Sequence, residues 1–333
     1  MVKGISALVL ACTVWGLSPL FYWLLSDIPP LEVLSYRTLW SLVFFAGLLA
    51  VQGRLHRVGQ ALRDPRTQMI LIAASVMISV NWFGFIWSIS QGNGLEASLG
   101  YYIFPLVSVV LGAVFFGERL GRAQLAAVVL AAVAVSVLTL GLGVPPWIAL
   151  LLAGTFGAYG VLKKRLSLGA VTSVTAEVAI IAPLAIGWLA LRGTTWPGQG
   201  ADLGTHALLM LSGPLTGLPL ILFSYATQHV RLSTVGIVQY LNPSLQFACA
   251  VLFFGNLITP WHGIAFPLIW AALVIYSVAA YRQDRARRRA PRRRRCCRRR
   301  SRNRGCPDLQ SPVPRRDPAN APAHPSSRPR SRR

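Results

Sequence analysis

The chain has 333 residues, of which 54% are apolar and only 13% are charged. Because soluble domains carry roughly a quarter charged residues, this composition excludes an ordinary soluble protein. The formal net charge is +23, but residues 1–281 contribute +6 and residues 282–333 contribute +17. The basic character therefore belongs mostly to a C-terminal segment with too few large apolar side chains to form a core, and we expect that tail to be disordered.

Apolar runs separated by short polar breaks fill the chain up to residue 281. A helix needs about 20 apolar residues to cross a hydrocarbon core, and its backbone must satisfy its own hydrogen bonds there. The runs predict an all-α integral membrane protein with ten transmembrane helices, at residues 4–25, 31–51, 68–90, 95–116, 122–141, 146–163, 172–191, 203–226, 233–254 and 262–281. Pro214 and Pro219 are expected to break the eighth span, and Gly213-x-x-x-Gly217 would allow a close helix contact there.

Lys and Arg alternate between the predicted loops. They lie before the first span and after the second, fourth, sixth, eighth and tenth spans, whereas the other loops contain only Arg192. Since cytoplasmic loops carry an excess of Lys and Arg, both termini are predicted to be cytoplasmic.

A sequence skeleton occurs twice. Tyr102-x-x-Pro105 followed by Phe-Phe-Gly at 115–117 returns as Tyr240-x-x-Pro243 followed by Phe-Phe-Gly at 253–255, always 138 residues later. A five-span unit has an odd number of crossings, so a second copy enters the membrane from the opposite side. We therefore expect two inverted five-helix repeats, residues 1–143 and 144–281, followed by the tail at 282–333. Such a pair suits alternating access, although duplication kept only for assembly stays an alternative.

Polar side chains inside apolar spans are costly and by default face a cavity or a partner. We therefore single out as candidates for a substrate path Arg37, Asn81, Trp82, Glu96, Ser98, Tyr101, Tyr102, Gln239, Tyr240 and Asn242. Repeat symmetry favours a central site for Tyr102 and Tyr240, whereas Trp15 and Trp270 read as interface anchors or bundle filling. Pro105 and Pro243 are candidates for helix breaks that free backbone carbonyls at matching depth.

Two acids are candidate partners for the charge of Arg37. Buried, Arg37 needs an acid or an anionic ligand, and the predicted topology makes an ion pair with Glu96 easier than one with Glu177. Such a pair has either a structural role or a direct role in ligand or ion movement. Glu177 has no evident basic partner, and a lone carboxyl in low dielectric can take up a proton near neutral pH. Glu177 is thus the candidate for proton coupling, the alternative being a solvated acid at the cytoplasmic interface.

No enzyme motif is visible, and neither a Walker A motif nor a zinc-type spacing of Cys and His occurs. The sequence therefore predicts a protein that is not an enzyme and that uses no metal or cofactor.

Several segments together resemble one known family. They are Tyr36-Arg37-Thr38-Leu39-Trp40-Ser41, Asn81-Trp82-x-x-Phe85-Ile86-Trp87, Glu96-Ala97-Ser98-Leu99-Gly100-Tyr101, Phe116-Gly117-Glu118-Arg119 and Leu232-Ser233-Thr234-Val235-Gly236 with Gln239-Tyr240. Over residues 1–281 the chain resembles the RarD-type permeases, in the EamA branch of the drug/metabolite transporter superfamily. The resemblance implies a bacterial inner-membrane transporter with two EamA repeats, associated by name with chloramphenicol. Phe104 before Pro105 and Asn256 after Gly255 depart from the family pattern.

These observations together predict a secondary transporter, an exporter of small organic metabolites or drugs. The alternative is a membrane scaffold or sensor that acts through its basic tail. Several Lys and Arg at a membrane surface attract anionic headgroups by roughly 1 kcal/mol each, so lipid is an expected partner of the tail. No specific nucleic-acid partner is expected, and a homodimer stays open.

Overall fold

The computed structural model describes residues 2–117, 121–142, 146–192, 203–229, 238–279 and 282. Within these ranges the regular secondary structure is helical and no strand occurs. The helices in chain order are α1 (Val2–Trp23), α2 (Pro30–Val51), α3 (His56–Arg63), α4 (Pro65–Ser90), α5 (Gly94–Phe116), α6 (Arg122–Leu142), α7 (Trp147–Lys164), α8 (Ala170–Leu191), α9 (Leu203–His229), α10 (Leu241–Leu252) and α11 (Pro260–Ala279).

Eight of the described helices are long and apolar enough to cross a membrane. Of the other long elements, α7 has 18 residues with two lysines in its last turn, and α10 has 12 residues. The ten predicted spans thus correspond to ten described helices, eight of which satisfy the requirement for a crossing. The first part of the predicted ninth span, residues 233–237, lies outside the described residues, as does the predicted tail apart from residue 282.

Large apolar side chains cover the outside of the bundle. Leu140 is 83% exposed, Leu184 is 71% exposed and Val114 is 70% exposed. An exterior with so many exposed large apolar side chains suits a hydrocarbon solvent and not water. Inside, small and apolar side chains form one cluster between α5, α6, α7, α10 and α11 and another between α1, α2, α4, α5, α7, α8 and α9.

The short helix α3 was not predicted, because its eight residues fall in a basic loop. Val58 and Ala61 are buried on one of its faces against Leu49 and Leu71. The next residue, Asp64, begins α4 as its N-cap and accepts a hydrogen bond from the Thr67 N–H at 3.0 Å. Hydrogen bonds from the Thr67 hydroxyl and N–H lower the pKa of the Asp64 carboxyl.

Of the four prolines that were expected to break helices, three lie inside continuous helices and one lies near a helix start. Pro214 and Pro219 lie inside the continuous helix α9, and Pro105 lies inside the continuous helix α5, so these three predicted breaks are wrong. Pro105 still removes one backbone donor, which leaves the Tyr101 carbonyl without its helical partner. Pro243 lies in the first turn of α10, where a missing N–H costs no helical bond.

Close packing of α2 against α9 depends on two glycines. A Cβ added at Gly213 would lie 2.5 Å from the Trp40 backbone, and one at Gly217 would lie 2.3 Å from the Phe44 ring. The close contact predicted for Gly213-x-x-x-Gly217 is therefore confirmed.

The helices of the two predicted repeats pack in a reciprocal pattern. Helix α1 packs on α9 and α10, while α7, its counterpart in the other half, packs on α4 and α5, the counterparts of α9 and α10. Helix α2 packs on its own counterpart α8, and α5 packs on its own counterpart α10. Exchanging the two halves thus maps each of these contacts onto another one.

Candidate functional site

A cavity of about 220 Å³ lies between helices of the first half and helices of the second half. Its lining is mostly aromatic and aliphatic, with amides and hydroxyls and one charged side chain. The lining residues are Trp15, Ser18, Tyr22, Arg37, Ile78, Asn81, Trp82, Phe85, Tyr101, Phe156, Tyr159, Val174, Leu215, Thr216, Leu220, Phe223, Gln239, Asn242 and Gln246. A mostly apolar pocket with a few polar groups is typical of a site for a small organic ligand.

Arg37 is the charged residue of this lining and is only 8% exposed. Its Nε donates to the Thr216 hydroxyl at 3.0 Å, and Thr216 in turn donates to the Ser212 carbonyl at 2.9 Å. The guanidinium carbon lies 4.2 Å from the centre of the Trp82 ring and 5.4 Å from that of Tyr22. One hydrogen bond and two aromatic faces therefore hold the cation at the cavity wall.

The expected Arg37–Glu96 ion pair is wrong: among the described residues no carboxylate pairs with Arg37. Glu96 lies in the first turn of α5, away from the cavity lining, and its Oε2 is buried without a hydrogen-bond partner among the described residues. An acid at a helix N-terminus is favoured by the unpaired N–H groups and the helix dipole.

Asn81 and Tyr101 form a second polar patch on the lining. The Asn81 amide is 1% exposed and donates to the Leu152 carbonyl at 2.9 Å and the Thr155 hydroxyl at 3.1 Å. Its Oδ1 accepts from the Tyr101 hydroxyl at 3.4 Å. These bonds tie α4 and α5 to α7 and fix the orientation of both side chains.

Amides in the first turns of α10 and just before it form the third patch. The Gln246 amide donates to Asn242 Oδ1 at 3.0 Å, and its Oε1 is buried without a hydrogen-bond partner among the described residues. Gln239 lies on the same wall. A buried acceptor without a donor is costly, so this wall suits a ligand or water that donates a hydrogen bond.

Beside the cavity, Glu177 belongs to a buried polar cluster of α7 and α8. Its carboxylate accepts from Lys163 Nζ at 2.7 Å, the Ser173 hydroxyl at 2.7 Å and the Tyr159 hydroxyl at 2.9 Å. Lys163 also contacts the Ser173 hydroxyl. The expectation that Glu177 lacks a basic partner is therefore wrong. Tyr159 also lines the cavity, so it links Glu177 to that space.

Three other candidates lie elsewhere. Ser98 is fully buried and donates to the Leu95 carbonyl at 2.8 Å within α5. Tyr102 and Tyr240 line a separate groove of about 400 Å³ between α5, α10 and α11, together with Trp270. In that groove the Tyr102 hydroxyl lies 2.9 Å from the Ser244 hydroxyl. The two repeated Tyr-x-x-Pro segments therefore meet, but their tyrosines do not line the central cavity.

The structure adds lining residues that the sequence reading missed, among them Tyr22, Thr216 and Gln246. Trp15, which was read as an anchor, also lines the cavity. Helical spacing could have found part of this set, since Trp15, Ser18 and Tyr22 follow one another at intervals of three and four residues along α1.

The 138-residue offset of the repeat recurs in the cavity wall. Five pairs of residues separated by that offset line the cavity with both members: Ser18 and Phe156, Ile78 and Thr216, Trp82 and Leu220, Phe85 and Phe223, and Tyr101 and Gln239. Equivalent positions of the two sequence repeats therefore face the same space. Arg37 has no such partner in the lining, since the residue 138 positions later is Thr175.

Comparison with known proteins gives a consistent assignment. Residues 2–140 match the EamA-like transporter family. Protein RarD of Streptomyces exfoliatus is 43% identical over 279 residues, covering 82% of this chain and 88% of the relative. The uncharacterized transporter YojE of Bacillus subtilis (strain 168) is 39% identical over 288 residues, covering 85% of this chain and 96% of the relative.

The fold also matches a solved structure. A protein crystal structure aligns with a TM-score of 0.54 at 18% identity, covering 85% of this chain and 97% of that chain. At this identity the match speaks for the fold alone. The family match, the relatives named above and the eight apolar helices support a multi-pass membrane transporter. The chain belongs to the EamA-like transporter family, as a RarD-type permease.

Proposed function

We propose that the chain is a secondary transporter that moves small organic solutes through the central cavity by alternating access. The observation that carries this proposal is the cavity wall, to which both predicted repeats contribute at equivalent positions. Two similar halves of opposite orientation can exchange conformations, so the cavity opens first to one side and then to the other.

The reciprocal helix packing supports the same mechanism. Since α1 packs on α9 as α7 packs on α4, the two halves have matching contacts to exchange during such a transition. Inverted repeats at residues 1–143 and 144–281 account for this pattern. We further propose export across a bacterial inner membrane, with both termini in the cytoplasm, on the basis of the alternating basic loops.

The test is solute movement in proteoliposomes without ATP. A panel of small organic solutes that includes chloramphenicol is offered under proton, sodium and zero gradients. We expect accumulation or counterflow of at least one solute, and orientation-selected vesicles then report the direction. No movement of any solute under any gradient contradicts the proposal.

A thiol-blocking experiment assigns the route. Ser18 lines the cavity, whereas Ser136 lies exposed on α6. A bulky methanethiosulfonate reagent should stop transport in Ser18→Cys and leave Ser136→Cys as active as the similarly treated native protein. Equal inhibition of the two variants would exclude the cavity as the route.

A further inference from the structure

The guanidinium of Arg37 has hydrogen-bonding capacity that the described residues leave unused. Arginine carries five N–H donors. One of them, at Nε, goes to Thr216, and no described residue accepts a hydrogen bond from either Nη atom. The side chain is only 8% exposed and borders the cavity, so water reaches it mainly through that space.

A permanent cation in this position is costly. Arginine does not lose its proton in proteins, and a buried charge without an anion loses much of its hydration energy. The two neighbouring rings recover part of this loss but bring no negative charge. The acid beside the cavity, Glu177, is balanced by its own ion pair with Lys163. The cavity wall thus carries a net positive charge that belongs to Arg37.

The charge is not a packing requirement of the repeated helix. The residue 138 positions later, Thr175, occupies the matching place in α8, and its hydroxyl donates to the Val171 carbonyl at 2.8 Å. The second predicted repeat therefore forms the equivalent helix, α8, with an uncharged residue at this position. The positive charge occurs at this position only in the first repeat, on the α2 side of the cavity.

We propose that Arg37 forms a subsite for the carboxylate of a small organic monoanion, which deepens and rests on the transport function proposed above. The two Nη groups present a planar fork that matches a carboxylate with two parallel hydrogen bonds. The body of the ligand lies against the aromatic wall formed by Trp82, Phe85 and Phe156.

Charge balance favours a monoanion over a phosphate ester. One guanidinium neutralises one negative charge, whereas a dianion would leave an unpaired negative charge in an aromatic cavity. A neutral solute of equal size would leave the cation unpaired. The subsite therefore discriminates by charge and by planar geometry.

The experiment measures binding by detergent-solubilised protein, so it does not depend on transport. Phenylacetate and its neutral isostere phenylacetamide are titrated while tryptophan fluorescence is followed, since Trp82 lies against the guanidinium. We expect saturable binding of phenylacetate that is at least tenfold tighter than that of phenylacetamide. Equal affinities, or no binding of phenylacetate, would overturn the proposal.

Variants test whether the positive charge that binds phenylacetate is that of Arg37. Arg37→Gln should lose phenylacetate binding, and Arg37→Lys should bind weakly because it keeps the charge but not the fork. Arg54→Gln removes the same charge from an exposed position outside the cavity and should bind like the native protein. Phenylacetate binding that survives in a folded Arg37→Gln protein overturns the assignment. If Arg37→Gln does not fold, the phenylacetate–phenylacetamide comparison on native protein still decides.

The result separates the two proposals. Transport of neutral solutes without carboxylate binding would overturn the subsite and keep the transporter. Carboxylate binding without transport of any solute would keep the subsite and overturn the transporter.

Discussion

Lys163 Nζ lies 2.7 Å from Glu177 Oε1 and joins the end of α7 to α8. The residues 138 positions earlier are Leu25 and Leu39, which both pack in one apolar cluster. The two predicted repeats therefore carry different chemistry at matching places, an ion pair in one and two apolar side chains in the other. Inverted repeats would put these matching places at opposite faces of the membrane.

This difference predicts how the pair contributes to stability. Lys163→Met should leave the Glu177 carboxylate, which is 2% exposed, without its cation. We expect a loss of about 2 kcal/mol, below the range for fully buried pairs because the Lys163 side chain is 23% exposed to screening solvent. Thermal unfolding in detergent measures the effect.

The matched control replaces both partners. Lys163→Leu with Glu177→Leu introduces the residues found at the matching positions, Leu25 and Leu39, and should lie within about 1 kcal/mol of the native protein, since apolar side chains avoid desolvating two charges. A double variant no more stable than Lys163→Met would show that the ion pair itself holds α7 against α8.

Glu177 remains the candidate for proton coupling. Its carboxylate accepts hydrogen bonds from Lys163 and Tyr159, and Tyr159 also lines the cavity. We expect Glu177→Gln to transport without the pH dependence of the native protein. Transport rates measured across a pH series check this, and an unchanged pH profile would exclude Glu177 as the coupling group.

Substitutions of the adjacent residues Tyr101 and Tyr102 should differ in their effect on the apparent affinity for a transported solute. Tyr101 lines the central cavity, whereas Tyr102 lines the separate groove between α5, α10 and α11. Tyr102→Phe should cost no more than about 1 kcal/mol, because it removes one hydrogen bond to an exposed serine. Its apparent affinity for a transported solute should match that of the native protein, while that of Tyr101→Phe should change. If Tyr102→Phe changed the apparent affinity and Tyr101→Phe did not, the solute would be placed in the groove between α5, α10 and α11.

The contact of α2 with α9 should resist even one added methyl group. Gly213→Ala places a Cβ against the Trp40 backbone and should destabilise the protein by about 1–3 kcal/mol. Gly154→Ala is the control, because nothing lies within 4 Å of its added Cβ. The control should unfold at or slightly above the native temperature. Similar unfolding temperatures for both variants would argue against the close helix contact.

The basic tail offers a test of the scaffold alternative. A protein that ends before residue 282 should retain solute transport, because every cavity residue lies earlier in the chain. Transport by the shortened and full-length proteins in matched liposomes measures this. Loss of activity from a shortened protein that elutes as a folded species would favour a tail-dependent function.

Local properties of the chain explain what could be read from the sequence. Hydropathy and loop charge depend on neighbouring residues alone, so the helix positions and the family resemblance were accessible without a structure. The polar-in-apolar rule also selected Arg37, Asn81, Trp82, Tyr101, Gln239 and Asn242, all of which border the cavity. A buried polar group is costly enough to stand out in any apolar segment.

Rotation and pairing of helices depend on contacts between distant segments, and only the tertiary structure decided them. Successive residues on a helix point about 100° apart, so one turns to the cavity and its neighbour to the groove, as Tyr101 and Tyr102 do. The same dependence governs which charge meets which. The buried Glu177 carboxylate pairs with Lys163 and not with Arg37. Lys163 lies in the last turn of α7, beside α8, whereas Arg37 borders the cavity.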